Sequence, residues 1–166
     1  MERAELSEAL RTWRSSDSRG RPVARTFIAE VQPEKFMTAF ADAVAGSGEI
    51  FLGNPAWGET ERASWNALQA AESSTSAAGL PLGWLGIPTG GTSGQLKFAR
   101  HDHETLSAAV RGFTQHFGLT QVNAVGVLPL YHVSGLMAWL RCALTGGTYL
   151  AWDWKALEGG GRPVLP

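Results

Sequence analysis

The chain has 166 residues, 44% of them hydrophobic, with 14 basic against 15 acidic side chains for a formal net charge of −1. That length suits one domain able to bury roughly two thirds of its unfolded surface, and the balanced charge provides neither a basic footprint for nucleic acid nor a polybasic patch for anionic lipid. The single cysteine, Cys142, lies in an apolar run, which excludes an internal disulfide framework or a Cys-based metal cluster and suits a reducing, cytoplasmic setting.

The opening, MERAELSEALRTW, reads as a helix and lacks the apolar core of a secretory signal. SSDSRGRP (15–22) punctuates it, and VARTFIAEV reads as a strand. A helix is predicted over PEKFMTAFADAVAGSG, with Pro33 near its start, Phe36, Phe40, Ala43 and Val44 on one face, and Gly46 as its C-cap. EIFLG then reads as a short buried strand, Thr60 to Glu72 as a helix, SSTSAAGLP (73–81) as a connector and LGWLGI as a further strand. Beyond a glycine-rich loop, Asp102 can cap a helix whose Leu106, Ala109, Val110, Phe113 and Phe117 share a face. NAVGVLP (strand), VSGLMAWLRCALTGG (helix) and TYLAW (strand) complete the series. Strand and helix alternate, which predicts an α/β fold with a mostly parallel sheet, helical crossovers and a ligand site at the carboxyl ends of the strands. No Asp, Glu, Lys or Arg occurs between Gly112 and Leu140, long enough for a membrane span. Gln115, His116, Gln121, Asn123, Pro129 and His132 interrupt it, so it reads as protein core.

Two stretches carry chemistry. In the first, GIPTGGTSGQLKFARHDHETL, glycines let successive N–H groups converge, while Thr89, Thr92 and Ser93 add hydroxyls and Lys97 a positive charge. Such a set makes an anion nest, although a plain surface turn has the same composition. It matches neither the Walker template nor the dinucleotide fingerprint. Gly91-Thr92-Ser93-Gly94-Gln95 lacks the final glycine of a serine nucleophile elbow. His101 and His103 form a His-x-His pair with no third ligand evident nearby, and cap residues are the simpler explanation. In the second stretch, VLPLYHVSGL, Tyr131 and His132 fall between a strand and a helix, where pockets form. The alternative for His132 is a buried histidine satisfied by a backbone carbonyl.

TGGTSGQLK resembles the phosphate loop of the AMP-forming acyl-CoA synthetases, the adenylate-forming superfamily that includes luciferases and peptide-synthetase adenylation domains, and LPLYHVSG resembles its next signature. Leu96 stands where that family usually has proline, and Gly90 where serine is common. Together with LPLYHVSGLMAWLRCALTGG, the loop is especially similar to the 2-succinylbenzoate-CoA ligase branch of menaquinone and phylloquinone synthesis. The similarity is strong from about Gly83 to Thr148 and loose before it.

The resemblance implies that residues 1–166 are a partial amino-terminal AMP-binding domain, with its phosphate loop at 88–97 and its second signature at 127–136. A carboxylate would attack the α-phosphate of ATP, and the thiol of CoA would then displace AMP. It assigns Thr89, Gly90, Gly91, Thr92, Ser93 and Gly94 to the β- and γ-phosphates with Lys97 in support, Mg²⁺ to the phosphate oxygens, His132 to the carboxylate and α-phosphate, and Ser134 and Gly135 to the acyl pocket. The later motifs for adenine, ribose and Mg²⁺, and the domain bearing the adenylation lysine, do not occur before Pro166. An amino-terminal piece is therefore expected to be inactive alone, and Leu140, Leu144 and Trp152 are candidates for an exposed patch that drives self-association. The other class compatible with the loop is a non-catalytic α/β module that binds a phosphate-bearing ligand or a partner protein.

Overall fold

The computed structural model describes residues 3–13, 24–46, 48–71, 84–89 and 96–152. Along them run α1 (Arg3–Thr12), β1 (Arg25–Ile28), α2 (Pro33–Ala45), β2 (Glu49–Leu52), α3 (Glu59–Ala70), β3 (Trp84–Thr89), β4 (Lys97–His101), α4 (His103–Phe117), β5 (Ala124–Gly126), α5 (Val133–Thr145) and β6 (Tyr149–Ala151). The expected punctuation at 15–22, the connector at 73–81 and the loop residues Gly90 to Gly94 lie outside the described residues.

Each element forms for a local reason. Pro33 at the first helical position presets α2, and its Phe36, Phe40 and Val44 recur at fourfold spacing and are buried. Gly46 closes it as expected, though in an extended conformation with φ −79°. Asp102 caps α4 by accepting the Thr105 N–H at 2.9 Å, while the Thr105 hydroxyl accepts the Asp102 N–H at 2.9 Å. Gly118 (φ 63°) ends α4 and Gly146 (φ 75°) ends α5, both in the left-handed region that favours glycine.

Strands β1, β2 and β3 are parallel neighbours, and β4 adds antiparallel to β3 at the sheet's edge. β5 and β6 form a second, parallel pair joined through α5. The predicted α/β character and the mainly parallel pairing are present. The strict alternation is not, because among the described residues β4 is the next element after β3. KFARH gave little signal: Lys97 and Arg100 are exposed, and only Phe98 and Ala99 are apolar. Its strand state rests on backbone pairing with β3, which side-chain patterning does not report.

Side-chain alternation divides the larger sheet into two faces. On one, Ile28, Ile50, Leu52, Leu85 and Ile87 join a single buried cluster with Leu6, Leu10 and Trp13 of the α1 segment, Phe36 and Phe40 of α2, and Leu136, Trp139 and Leu140 of α5. The Trp13 indole N–H donates to the Gly48 carbonyl at 3.2 Å within this layer. On the other face Phe27, Phe51 and Phe98 meet Trp65 of α3 and Trp84, at ring separations between 4.9 and 6.3 Å. Fully burying one phenylalanine contributes about 1.5–3 kcal/mol, so Phe36 and Phe40 alone exceed what any exposed polar pair supplies.

Two expectations need correction. Leu140 is fully buried in the main cluster, and Leu144 and Trp152 are half-buried, so they do not form an exposed patch. Among the described residues, the large apolar side chains that do reach solvent are Val31, Phe117, Leu119, Leu128 and Val133. On α4 only Leu106 and Val110 of the predicted face are buried; Ala109 and Phe117 are exposed and Phe113 is half-buried, because the second half of the helix runs past the core. Among the described residues, no helix is long and apolar enough to cross a membrane.

The β5–β6 pair is held at its amino end by side chains that bond backbone. The Thr145 hydroxyl accepts the Val122 N–H at 2.9 Å and donates to the Arg141 carbonyl at 2.7 Å. Asn123 Oδ1 accepts the Thr148 N–H at 2.7 Å. Gly147 passes so close to Val122 that a Cβ there would overlap the Val122 carbonyl. Gly147→Ala should therefore destabilise the protein by about 1–3 kcal/mol, the usual cost of forcing extra volume into packed backbone, measurable as a lowered urea midpoint. A second expectation concerns Asp102, whose carboxyl is held below its ordinary value chiefly by the Thr105 N–H it accepts. The ionised cap's stabilisation is present above the ordinary carboxylate range and is lost as pH falls through the depressed value. Asp102→Ala should cost about 1 kcal/mol near neutrality and progressively less in acid, as read from urea melts across pH.

Candidate functional site

The glycine- and hydroxyl-rich stretch connects β3 to β4, which pair antiparallel. Antiparallel register places Thr89 opposite Lys97, and the Thr89 hydroxyl donates to the Lys97 carbonyl at 3.3 Å. Both residues are exposed, and Thr89 lies at the carboxyl end of a strand parallel to β1 and β2. The sheet edge predicted for a ligand thus carries the two ends of the loop. Gly90, Gly91, Thr92, Ser93 and Gly94, which complete the expected cradle, lie outside the described residues.

The hairpin is anchored from its opposite end. At the amino end of β3, the Trp84 indole N–H donates to Glu49 Oε1 at 2.8 Å, and Glu49 Oε2 pairs with Arg25 Nε at 3.1 Å. The Arg100 guanidinium carbon lies 5.2 Å from the centre of the Trp84 ring. Gly86 leaves room beside them: a Cβ there would stand 3.0 Å from Phe51 Cδ1 and 3.2 Å from Trp84 Cζ3. The aromatic face therefore grips the root of the hairpin while Thr89 and Lys97 remain in solvent.

The second signature forms the entry to α5. His132 is the N-cap residue in extended backbone; its N–H donates to the Pro129 carbonyl at 3.1 Å, and its carbonyl accepts the Leu136 N–H at 2.9 Å. The imidazole caps nothing in its own helix and is exposed, its centre 4.8 Å from that of the buried Tyr131 ring. The buried-histidine alternative is thereby overturned. Ser134 is exposed on the first turn, whereas Gly135 is buried, where a Cβ would overlap the Pro129 carbonyl and approach Leu128 O to 2.7 Å. Glycine at this position lets the helix start lie directly on the Leu128–Pro129 backbone, which fixes how His132 and Ser134 are presented. The N–H groups of Val133, Ser134 and Gly135 have no intrahelical acceptor and carry the positive end of the helix dipole.

The structure thus brings Thr89 and Lys97 together on one sheet and groups His132, Ser134 and Gly135 at the helix start that follows the other. Chemically, the first group offers a hydroxyl and an ammonium to an anion, and the second a titratable ring beside amide donors. Among the described residues, no group of three or more His, Cys, Asp or Glu side chains could hold a metal ion. His103 instead turns its ring edge to the Ser107 hydroxyl, 3.4 Å from Nδ1. One feature escaped the sequence reading: an open cleft of about 470 Å³ along α4, lined by His103, Glu104, Thr105, Ser107, Ala108 and Arg111. The i, i+4, i+8 spacing of His103, Ser107 and Arg111 was its only sequence signal.

No family model and no curated protein matches the sequence. The structure is similar to the adenylation domain of a keto acid-selecting peptide-synthetase module bound to a keto acyl adenylate (TM-score 0.63, 16% identity), aligning over 93% of this chain and 38% of that one. It is similar to ATP-bound MatB from Rhodopseudomonas palustris (TM-score 0.59, 15% identity, 92% of this chain and 40% of that one). It is also similar to the o-succinylbenzoate coenzyme A synthetase MenE from Bacillus subtilis in complex with AMP (TM-score 0.60, 13% identity, 95% and 50%). The chain therefore spans half or less of the length of these structures, and it has the mixed α/β fold of the corresponding part of adenylate-forming enzymes.

Proposed function

We propose that the chain is the phosphate-loop portion of an ATP-dependent, AMP-forming acid–CoA ligase, with 2-succinylbenzoate as its acid. The observation that carries this is the register of β3 with β4, which sets Thr89 against Lys97 at the carboxyl edge of a parallel sheet in a fold similar to that of ATP-bound and AMP-bound neighbours. Support for the particular acid is narrower and rests on the resemblance of TGGTSGQLKFARHDHETL and LPLYHVSGLMAWLRCALTGG to that branch.

In this role Thr89, Gly90, Gly91, Thr92, Ser93 and Gly94 wrap the β- and γ-phosphates, and Lys97 supplies compensating charge. Fixed donors of this kind stabilise growing pyrophosphate charge without reorganising. The exposed Thr89 and Lys97 suit a polyphosphate that would bring its own Mg²⁺, which would offset part of the phosphate charge. His132 donates toward the reacting carboxylate and α-phosphate. Ser134 lines the acyl pocket, and Gly135 lets the turn beneath it close. CoA thiol is the second nucleophile.

The test is carboxylate-dependent ATP–pyrophosphate exchange in a protein that carries these residues within a chain extended to the neighbours' length. Thr92→Val or Gly91→Val should abolish exchange while the far-ultraviolet spectrum is retained; exchange at the unsubstituted rate would remove the phosphate cradle. His132→Ala should slow adenylation by about 10²-fold or more, the scale for losing one such donor. Because the imidazole is exposed and caps nothing, the melting temperature should stay put; a lower melting temperature with unchanged turnover would leave His132 a purely structural part.

A further inference from the structure

We infer, on the phosphate-loop reading of this sheet edge, that Arg25, Glu49, Trp84 and Arg100 are positioning residues: a continuous line of side chains across four strands that holds β4 in the register setting Lys97 against Thr89. Arg25, Glu49 and Trp84 open β1, β2 and β3, and Arg100 stands near the end of antiparallel β4. Arg25 is the register partner of Glu49, Glu49 is that of Trp84, and Arg100 pairs with Gly86, two residues along β3. The side chains follow the same path. Arg25 Nε donates to Glu49 Oε2 at 3.1 Å, the Trp84 indole N–H donates to Glu49 Oε1 at 2.8 Å, and the Arg100 guanidinium carbon stands 5.2 Å from the centre of the Trp84 ring. One carboxylate thus joins three strands, and the ring it orients holds the fourth.

β4 needs such a device because its own side chains specify register weakly. Strands that are polar on both faces slip readily, and the two apolar residues of KFARH, Phe98 and Ala99, are adjacent and so fall on opposite faces. A slip of two residues would leave each β4 side chain on its own face yet carry Lys97 about 7 Å along β3. Backbone hydrogen bonds discriminate poorly against that shift, since apart from Pro88 every residue of the pair offers the same groups. The contacts of Arg100 with Trp84 and of Phe98 with Phe51, at 5.3 Å between rings, do discriminate, because both are lost together.

A charged line specifies register where an apolar one would only stabilise. The Arg25 and Glu49 side chains keep 15% and 14% exposure. A pair so far withdrawn from water is often no more stabilising than apolar residues of the same volume, and its best attested use is to fix register. Thr89 lies five residues beyond Trp84 on β3, roughly 17 Å away, so the line acts on the phosphate donors through the strand and touches no ligand itself.

Two measurements test this. In the 166-residue chain, Glu49→Gln and Arg100→Gln should each speed hydrogen exchange of the bonded β4 amides by about tenfold or more, while those of β5 and β6 stay within about twofold. In a chain extended to the neighbours' length, the same substitutions should raise the KM for ATP in carboxylate-dependent ATP–pyrophosphate exchange by about tenfold or more, with kcat and the KM for the acid within about twofold. Arg100→Lys, which keeps a cation over the ring, should recover most of the loss. Arg100 is exposed, so its substitution keeps the question answerable if Glu49→Gln perturbs folding. A fall in kcat with both KM values unchanged and a lower melting temperature would make the line a stabilising feature only and overturn the inference. So would β4 amides that exchange at an unaltered rate, or that accelerate in step with β5 and β6. No pyrophosphate exchange in the unsubstituted extended protein would remove the phosphate-loop reading and the positioning role with it, whereas exchange with an unaltered KM for ATP in the variants removes the positioning role alone.

Discussion

The two sheets share no strand pair, and what fixes one relative to the other is the burial of a single apolar layer. Ile50, Leu52 and Leu85 present it from the larger sheet, and Leu136, Trp139 and Leu140 answer from α5, the helix that joins β5 to β6. Trp139 is locked between by edge contacts to Phe36 and Phe40 at 6.5 and 5.5 Å. Hydrogen bonds fix register within each sheet, and among the described residues packing relates the hairpin to the start of α5. Non-directional burial can do this because the layer interdigitates; a volume change at Trp139 or Leu140 would shift α5, and His132 with it, relative to the sheet.

Much of the fold was legible in the sequence, for physical reasons that can be named. Phe36, Phe40 and Val44 announce α2 by spacing, Asp102 and Gly118 bracket α4 by capping chemistry, and EIFL declares a strand because three of its four side chains are buried. β4 was illegible since its pairing is made by backbone groups common to every residue, and its exposed Lys97 and Arg100 resemble loop residues. The burial of Leu140 was misjudged because the partners that cover it, from α1 and α2, are remote in sequence.

The candidate site was legible in a different way. Hydroxyls, glycines and a lysine are the residue types of an anion nest and equally of a plain surface turn, so the sequence offers composition there without the fold. Their geometry was not. That Thr89 faces Lys97 follows from the antiparallel return of the chain, and that His132 is exposed follows from Tyr131 taking the buried position beside it. Gly135 shows the two kinds of information meeting: a glycine expected to line a pocket has a backbone approach to Pro129 as its immediate reason.

The strand order of the larger sheet, β1-β2-β3-β4, follows the order of the chain. Each new strand therefore joins the outside of what precedes it, and none has to be inserted between two strands already paired. Loop closure is then met one connection at a time, and the last, across the hairpin, is the shortest and least costly in chain entropy. The sheet can consequently grow in the direction of synthesis, with β4 added last, at its margin, where its exposed Lys97 and Arg100 place no demand on the pairing of the other strands.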